Sequence, residues 1–208
     1  MTTGDTRTPI GNLAPFAVTF SLACAAIGVS LFPLAVVALQ FDVAALSRGE
    51  LWRMATGHFT HWNGEHLLWD VIPFVVLGML VEWRSRQLFL TTVVASALVI
   101  SIVVGALEPQ MTLYRGLSGV DSALYGAVAA DLLILAWRKG STRLAAIPAI
   151  LWLAFFGRII YESITGVSLF VDSVAAGYTP AAYAHLTGGL VGAAVVWWHY
   201  RSGMARCP

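Results

Sequence analysis

Ser118 stands between two glycines in Gly116-Leu117-Ser118-Gly119, where a long apolar run begins. His185 opens a second apolar run and is followed by Gly188 and Gly192. His66 and Asp70 open a third. A histidine within hydrogen-bond reach of a serine can take its proton and turn the oxygen into a nucleophile. A helix start adds backbone N–H groups that lack partners, a ready cradle for a developing oxyanion. Helix capping is the competing explanation: with Asp121 three residues on, Ser118 fits the S-x-x-D pattern of a helix start.

The chemistry depends on the elements that carry these residues. The chain has 208 residues, 58% hydrophobic and 11% charged. Soluble domains carry about 25% charge, so this composition cannot coat a water-exposed surface and points to a membrane protein. The net charge of +1 gives no reason to expect a nucleic-acid partner. Two cysteines, Cys24 and Cys207, make neither a disulfide framework nor a zinc site. His58 and His61 lack the spacing of a helical metal motif, so no metal and no cofactor is expected. Leu22-Ala23-Cys24 has the look of a lipoprotein cleavage box, but the apolar run from Ala14 to Leu39 far exceeds the ~7–15 apolar residues of a signal. It reads as a retained first span.

A spanning helix needs roughly 20 mostly apolar residues. Six runs qualify: Ala14–Leu39, with Pro33 bending or ending it, Glu65–Val81, Leu88–Leu107, Gly119–Trp137, Leu144–Tyr161 and Ala181–Tyr200. The predicted fold is an all-α polytopic six-transmembrane-helix bundle over residues 14–200. Residues 1–13 and 201–208 are then short cytoplasmic segments. The side holding both termini collects Arg7, Arg84, Arg86, Arg138, Lys139, Arg143, Arg201 and Arg206, against Arg48, Arg53 and Arg115 on the other. The positive-inside rule makes the first side cytoplasmic, in the cell (inner) membrane, with the active site opening to the outer face.

In this topology the second, fourth and sixth helices all start at the outer face. His66, Asp70, Ser118 and His185 then share one shallow depth, within roughly 10 Å vertically. Polar groups at membrane depth are functional candidates by default. His185, Gly188 and Gly192 fall on one helical face, as do Ser118, Ser122 and Gly126. Small residues on facing stripes let two backbones approach, so Gly126, Gly188 and Gly192 are expected to pack the two helices and bring Ser118 to His185.

Gly116-Leu117-Ser118-Gly119 matches the GxSG motif of rhomboid intramembrane serine proteases, and Ala184-His185-Leu186-Thr187-Gly188 followed by Gly192 resembles the family's AHxxGxxxG. Trp52-Arg53 resembles the Trp-Arg pair of its first long loop, and His61 and His66 resemble two histidines leading into the second helix. The resemblance runs from about residue 40 to 200. Within the family, "GELWRMATGHFTHWNGEHLLWD" and the short six-span form look most like the rhombosortase branch, which is thought to process C-terminal membrane tails of exported proteins. The resemblance implies a Ser118–His185 dyad, an oxyanion site using the Ser118 N–H and His66 with Asp70, Gly116 and Gly119 in support, and membrane-spanning protein segments as substrates in the bilayer.

Two positions depart from the family pattern. Asp70 replaces an asparagine that donates to the oxyanion. Either burial keeps Asp70 protonated, so that it can donate, or it only orients His66. Ser122 replaces a tyrosine that stacks on the catalytic histidine, so Tyr183 or Tyr125 is the expected substitute. Asp121 is read as structural, completing the cap or pairing with Arg158, although Arg158 can equally pair with Glu162 at i+4. Asp131 is read as a hydrogen-bonding partner of a neighbouring helix, His58 as a rim residue, and the Glu162–Pro180 connection as a lid or lateral gate. A catalytically silent rhomboid-like binder of membrane segments and a small transporter are the competing classes.

Overall fold

The computed structural model describes residues 14–175 and 177–203. The segment 1–13 and residues 204–208 of the expected tail lie outside the described residues. All six apolar runs form helices. The first run is not straight: after a 3-10 turn at Ala14–Phe16, α1 (Ala17–Ser30) meets α2 (Pro33–Leu39) at a 112° bend. Pro33 occupies the first turn of α2, where a missing N–H removes no intrahelical bond.

Short polar side chains set the other boundaries. Asn63 accepts the His66 N–H at 2.8 Å and starts α5 (Gly64–Arg84). Ser85 alone joins α5 to α6 (Arg86–Leu107), accepting the Leu88 N–H at 3.2 Å. So short a connection makes the two helices antiparallel. Ser141 caps α8 (Thr142–Thr165), which ends at Gly166 in the left-handed region, φ 67°. Between them runs α7 (Ser118–Arg138), and α9 (Ala182–Arg201) closes the bundle. α5, α6, α7 and α8 are each long and apolar enough to cross a membrane, and the bent α1–α2 pair makes a fifth candidate.

α9 differs from the expectation that all six runs would qualify on hydropathy. Its three glycines, two histidines and two tryptophans lower its apolar character. The reason is its position: it packs against α6, α7 and α8, and buries His185, Gly188, Gly189, Gly192 and His199. A helix whose polar and small residues face protein on one side has no need to be apolar all round.

α7 and α9 meet backbone to backbone. A methyl group on Gly188 would strike the Gly119 carbonyl, one on Gly192 the Ala123 carbonyl, and one on Gly126 the Gly189 carbonyl. Dispersion between close backbones is a main source of helix association in lipid, and side chains here would abolish it.

The connection from Gln40 to Asn63 is ordered by long-range contacts. It contains α3 (Val43–Ser47), α4 (Arg53–Thr56) and a 3-10 turn at Gly57–Phe59. β1 (Phe41–Asp42) pairs antiparallel with β2 (Leu113–Tyr114), Phe41 opposite Tyr114, which ties this connection to the strand leading into Ser118. Arg53 is buried and donates to the Val37 and Gln40 carbonyls, both at 2.9 Å, and to Glu50 at 2.8 Å. Arg53→Ala should lower stability by about 2–4 kcal/mol by leaving these acceptors unpaired. A thermal midpoint equal to the wild type's would show that the knot holds nothing.

His58 is not a rim residue. It is fully buried, its Nε2 lies 3.0 Å from the Ala97 carbonyl, and burial pushes its pKa down to about 4. A neutral ring bonded to α6 acts here as packing. At the far end of the bundle, Tyr200 donates to Asp131 at 2.6 Å and Arg84 donates to Tyr200 at 2.9 Å, linking α5, α7 and α9.

Candidate active site

The helix starts of α5, α7 and α9 converge on one spot. Ser118 is the first residue of α7, and its Oγ lies 3.1 Å from His185 Nε2. The serine does not cap its helix, because no side chain in the α7 start makes a cap bond. Asp121 does not complete a cap and does not pair with Arg158. Its Oδ1 is buried with no hydrogen-bond partner among the described residues, and Arg158 Nε bonds Glu162 instead, at 3.0 Å. Ser122 donates to the Ser118 carbonyl at 2.8 Å.

The open N–H of the α7 start finds its partner on another helix. Asp70 Oδ2, from α5, accepts the Ser118 N–H at 3.2 Å. The same oxygen lies 3.4 Å from His66 Nε2 and 3.2 Å from His61 Nε2, both as charge contacts rather than aligned hydrogen bonds. The Trp62 N–H points at His66 Nδ1 at 3.5 Å, which leaves Nε2 as the protonated nitrogen of that ring. One carboxyl oxygen therefore sits against both the Ser118 N–H and the His66 ring. Gly116 makes this approach possible. Its φ of 122° suits only glycine, and a Cβ there would come within 2.9 Å of Asp70 Oδ2 and His66 Nε2. Gly119 has a packing role: a Cβ would press on Ile100, Tyr114 and the Ala184 carbonyl.

Neither expected tyrosine serves His185. Tyr125 donates to the Leu151 carbonyl at 2.8 Å, and Tyr183 is half exposed. The residue that does reach the ring is Glu162 of α8, whose Oε2 lies 2.8 Å from His185 Nδ1. Sequence reasoning saw Glu162 only as the i+4 partner of Arg158. The available signal was two opposite charges one turn apart inside an apolar run. A second missed residue is Tyr178, which stacks on His66 at 5.0 Å and on Trp62 at 5.8 Å. Burial pushes the Tyr178 phenol up, so the ring stays neutral.

The pair opens into a cavity of about 840 Å³ between α5 and α8. Trp69, Ile72 and Val76 of α5 face Phe155 and Arg158 of α8 across it, and Phe170 and Tyr178 cover part of it from the connection after α8. Trp69 stacks on Phe170 at 5.9 Å, closing one side. α8 is the least enclosed of the long helices, with 17% of its apolar window buried.

Fold and site together define an integral membrane protein whose helix starts converge on a serine–histidine pair at the head of an apolar cavity. A family model, the Rhomboid domain, matches residues 48–202, which take in every residue of the site. The chain belongs to the rhomboid family. Comparison with curated proteins returned no match.

Proposed function

We propose that this rhomboid is an intramembrane serine endopeptidase working through Ser118 and His185. The observation that carries the reading is the 3.1 Å approach of Ser118 Oγ to His185 Nε2 at the head of a largely apolar cavity of about 840 Å³. Ser118 Oγ attacks the scissile carbonyl carbon while its proton passes to Nε2. The same proton then goes to the leaving amine as the C–N bond breaks, and water repeats the sequence to release the acyl group. The Ser118 N–H and the His66 Nε2–H receive the oxyanion, in the place that Asp70 Oδ2 holds at rest. Asp70 is thus an occupant of the oxyanion site, displaced when the substrate carbonyl enters.

The substrate is a membrane-spanning segment that enters between α5 and α8 and unwinds to offer a carbonyl, since a hydrogen-bonded helix hides its own. Glycine or proline near the cut would favour unwinding. The connection 166–181, with Tyr178 over His66, acts as the lid. The arginine and lysine bias supports cytoplasmic termini and a site that opens to the outer face of the cell membrane. The loop sequence around Trp52 and His66 favours the rhombosortase branch, with C-terminal membrane tails of exported proteins as substrates. Co-expression with such tailed proteins, followed by mass analysis of the product, tests the reading. Shortened product with wild type and not with Ser118→Ala supports it, and product from both ends it.

One observation favours a silent binder: a carboxylate on the Ser118 N–H opposes the charge that forms during attack. Asp70→Asn separates the two. An amide relieves the repulsion and can donate, so turnover at neutral pH should rise on the order of tenfold, a fraction of what one oxyanion donor is worth. Loss of turnover at every pH would rule out displacement of Asp70 as the route to the oxyanion.

A further inference from the structure

We propose that Glu162 completes a Ser118–His185–Glu162 triad as a positioning residue that fixes the imidazole tautomer and holds the imidazolium during turnover. The proposal rests on the protease reading above and adds to the two-residue site that the motifs imply.

The two carboxylate oxygens of Glu162 have separate tasks. Oε1 accepts from Arg158 Nε at 3.0 Å and from the Leu169 N–H at 3.4 Å, which anchors α8 to the connection that follows it. Oε2 faces His185 Nδ1 at 2.8 Å. Structural anchoring accounts for the first oxygen and leaves the second unexplained. An ionised carboxylate only accepts hydrogen bonds, so Nδ1 must carry the ring proton. Nε2 is then unprotonated, and its lone pair points to Ser118 Oγ at 3.1 Å. That is the tautomer a general base requires.

Burial strengthens the argument. The Glu162 side chain has no exposed surface, and the His185 side chain is 5% exposed. A carboxylate in such a place is costly unless paired. Arg158 balances the resting charge. When Nε2 takes the serine proton, the ring becomes cationic beside Oε2, and the cluster gains a second ion pair at the moment the oxyanion forms. The proton stays on the ring until it passes to the leaving amine, and Glu162 takes none. Arg158 Nη2 also lies 3.5 Å from Nε2, so without Glu162 the guanidinium would oppose the imidazolium unchecked.

Glu162→Gln tests this with little change in shape. Its carbonyl oxygen can keep the Arg158 and Leu169 bonds, while its NH₂ meets Nδ1 donor to donor. The ring must flip to the Nε2–H tautomer, which cannot act as base. In the reconstituted full-length protein, kcat should fall by about 10³–10⁴-fold with KM within about threefold, by analogy with the amide replacement in a serine-protease triad. The acid limb of the kcat pH profile should move to lower pH, because the imidazolium loses its counter-charge. Glu162→Asp should recover part of the rate. Histidine ring NMR of the wild type, assigned with His185→Gln, gives a readout independent of variant folding: protonated Nδ1 and unprotonated Nε2 are expected. Wild-type cleavage with undiminished rate and an unshifted profile in Glu162→Gln, or an Nε2–H ring in the wild type, would overturn the triad alone. Absence of cleavage and of serine-directed labelling in the wild type would overturn the protease reading instead.

Discussion

Ser118→Ala should reduce cleavage of a membrane-spanning substrate by at least about 10⁴-fold, with stability within about 1 kcal/mol of wild type. The hydroxyl is the only atom removed. It meets His185 Nε2 at 3.1 Å and the Tyr114 phenol, two polar contacts and no apolar packing, so little stability depends on it. Labelling by a fluorophosphonate, which reacts with activated serines, should vanish with it. If serine and imidazole act as one unit, as proposed, Ser118→Ala with His185→Ala should be no slower than Ser118→Ala alone. Residual cleavage above one part in a thousand, by mass analysis of product, would show that another nucleophile is at work.

Gly192→Leu should cost about 3 kcal/mol or more, enough to deplete the folded protein at physiological temperature. Even a methyl group there would run into the Ala123 carbonyl and backbone, which belong to a rigid helix and cannot rotate away. The helices would part, and Ser118 would lose His185 along with the fold. Gly157→Leu is the matched control: a Cβ on that α8 glycine meets nothing within 4 Å, so its midpoint should stay within about 1 kcal/mol of wild type. Thermal unfolding in detergent compares them. Equal midpoints for the two variants would mean that α7 and α9 do not depend on close approach.

Much of this arrangement is readable from spacing alone. Ser118, Ser122 and Gly126 on one run, and His185, Gly188 and Gly192 on another, fall at helical intervals, and small side chains in lipid have few uses besides close contact. The alternation of short connections places both stripes at the same end. The 112° turn was legible at Pro33. Glu162 was not, because an arginine one turn before a glutamate already satisfies both charges. Whether the second oxygen faces lipid or His185 depends on how α8 is rotated against α9, and no local pattern encodes that rotation. Asp70 stood out as a departure. Its contact with the Ser118 N–H depends on the register of α5 against α7, set by bonds more than forty residues apart in sequence. The β1–β2 pairing escaped notice for the same reason, being a backbone contact between distant segments. Arg53 was legible as half of a Trp-Arg pair in the first loop, but the Val37 and Gln40 carbonyls that its side chain binds carry no residue-specific signal.

The placement of Glu162 on α8 makes the site an interlock. α8 is the least enclosed of the four long candidate spans, and under the proposed triad it is also the one that orients the base. An outward tilt of about 1 Å at Glu162 would stretch its 2.8 Å contact past hydrogen-bonding range. In the proposed protease, a segment sliding in beside α8 would thus disarm the imidazole, and the base would regain its aim only once the helix settled back against α9. Admission and reaction would be separate in time, and a chain that merely passed through the doorway would leave uncut.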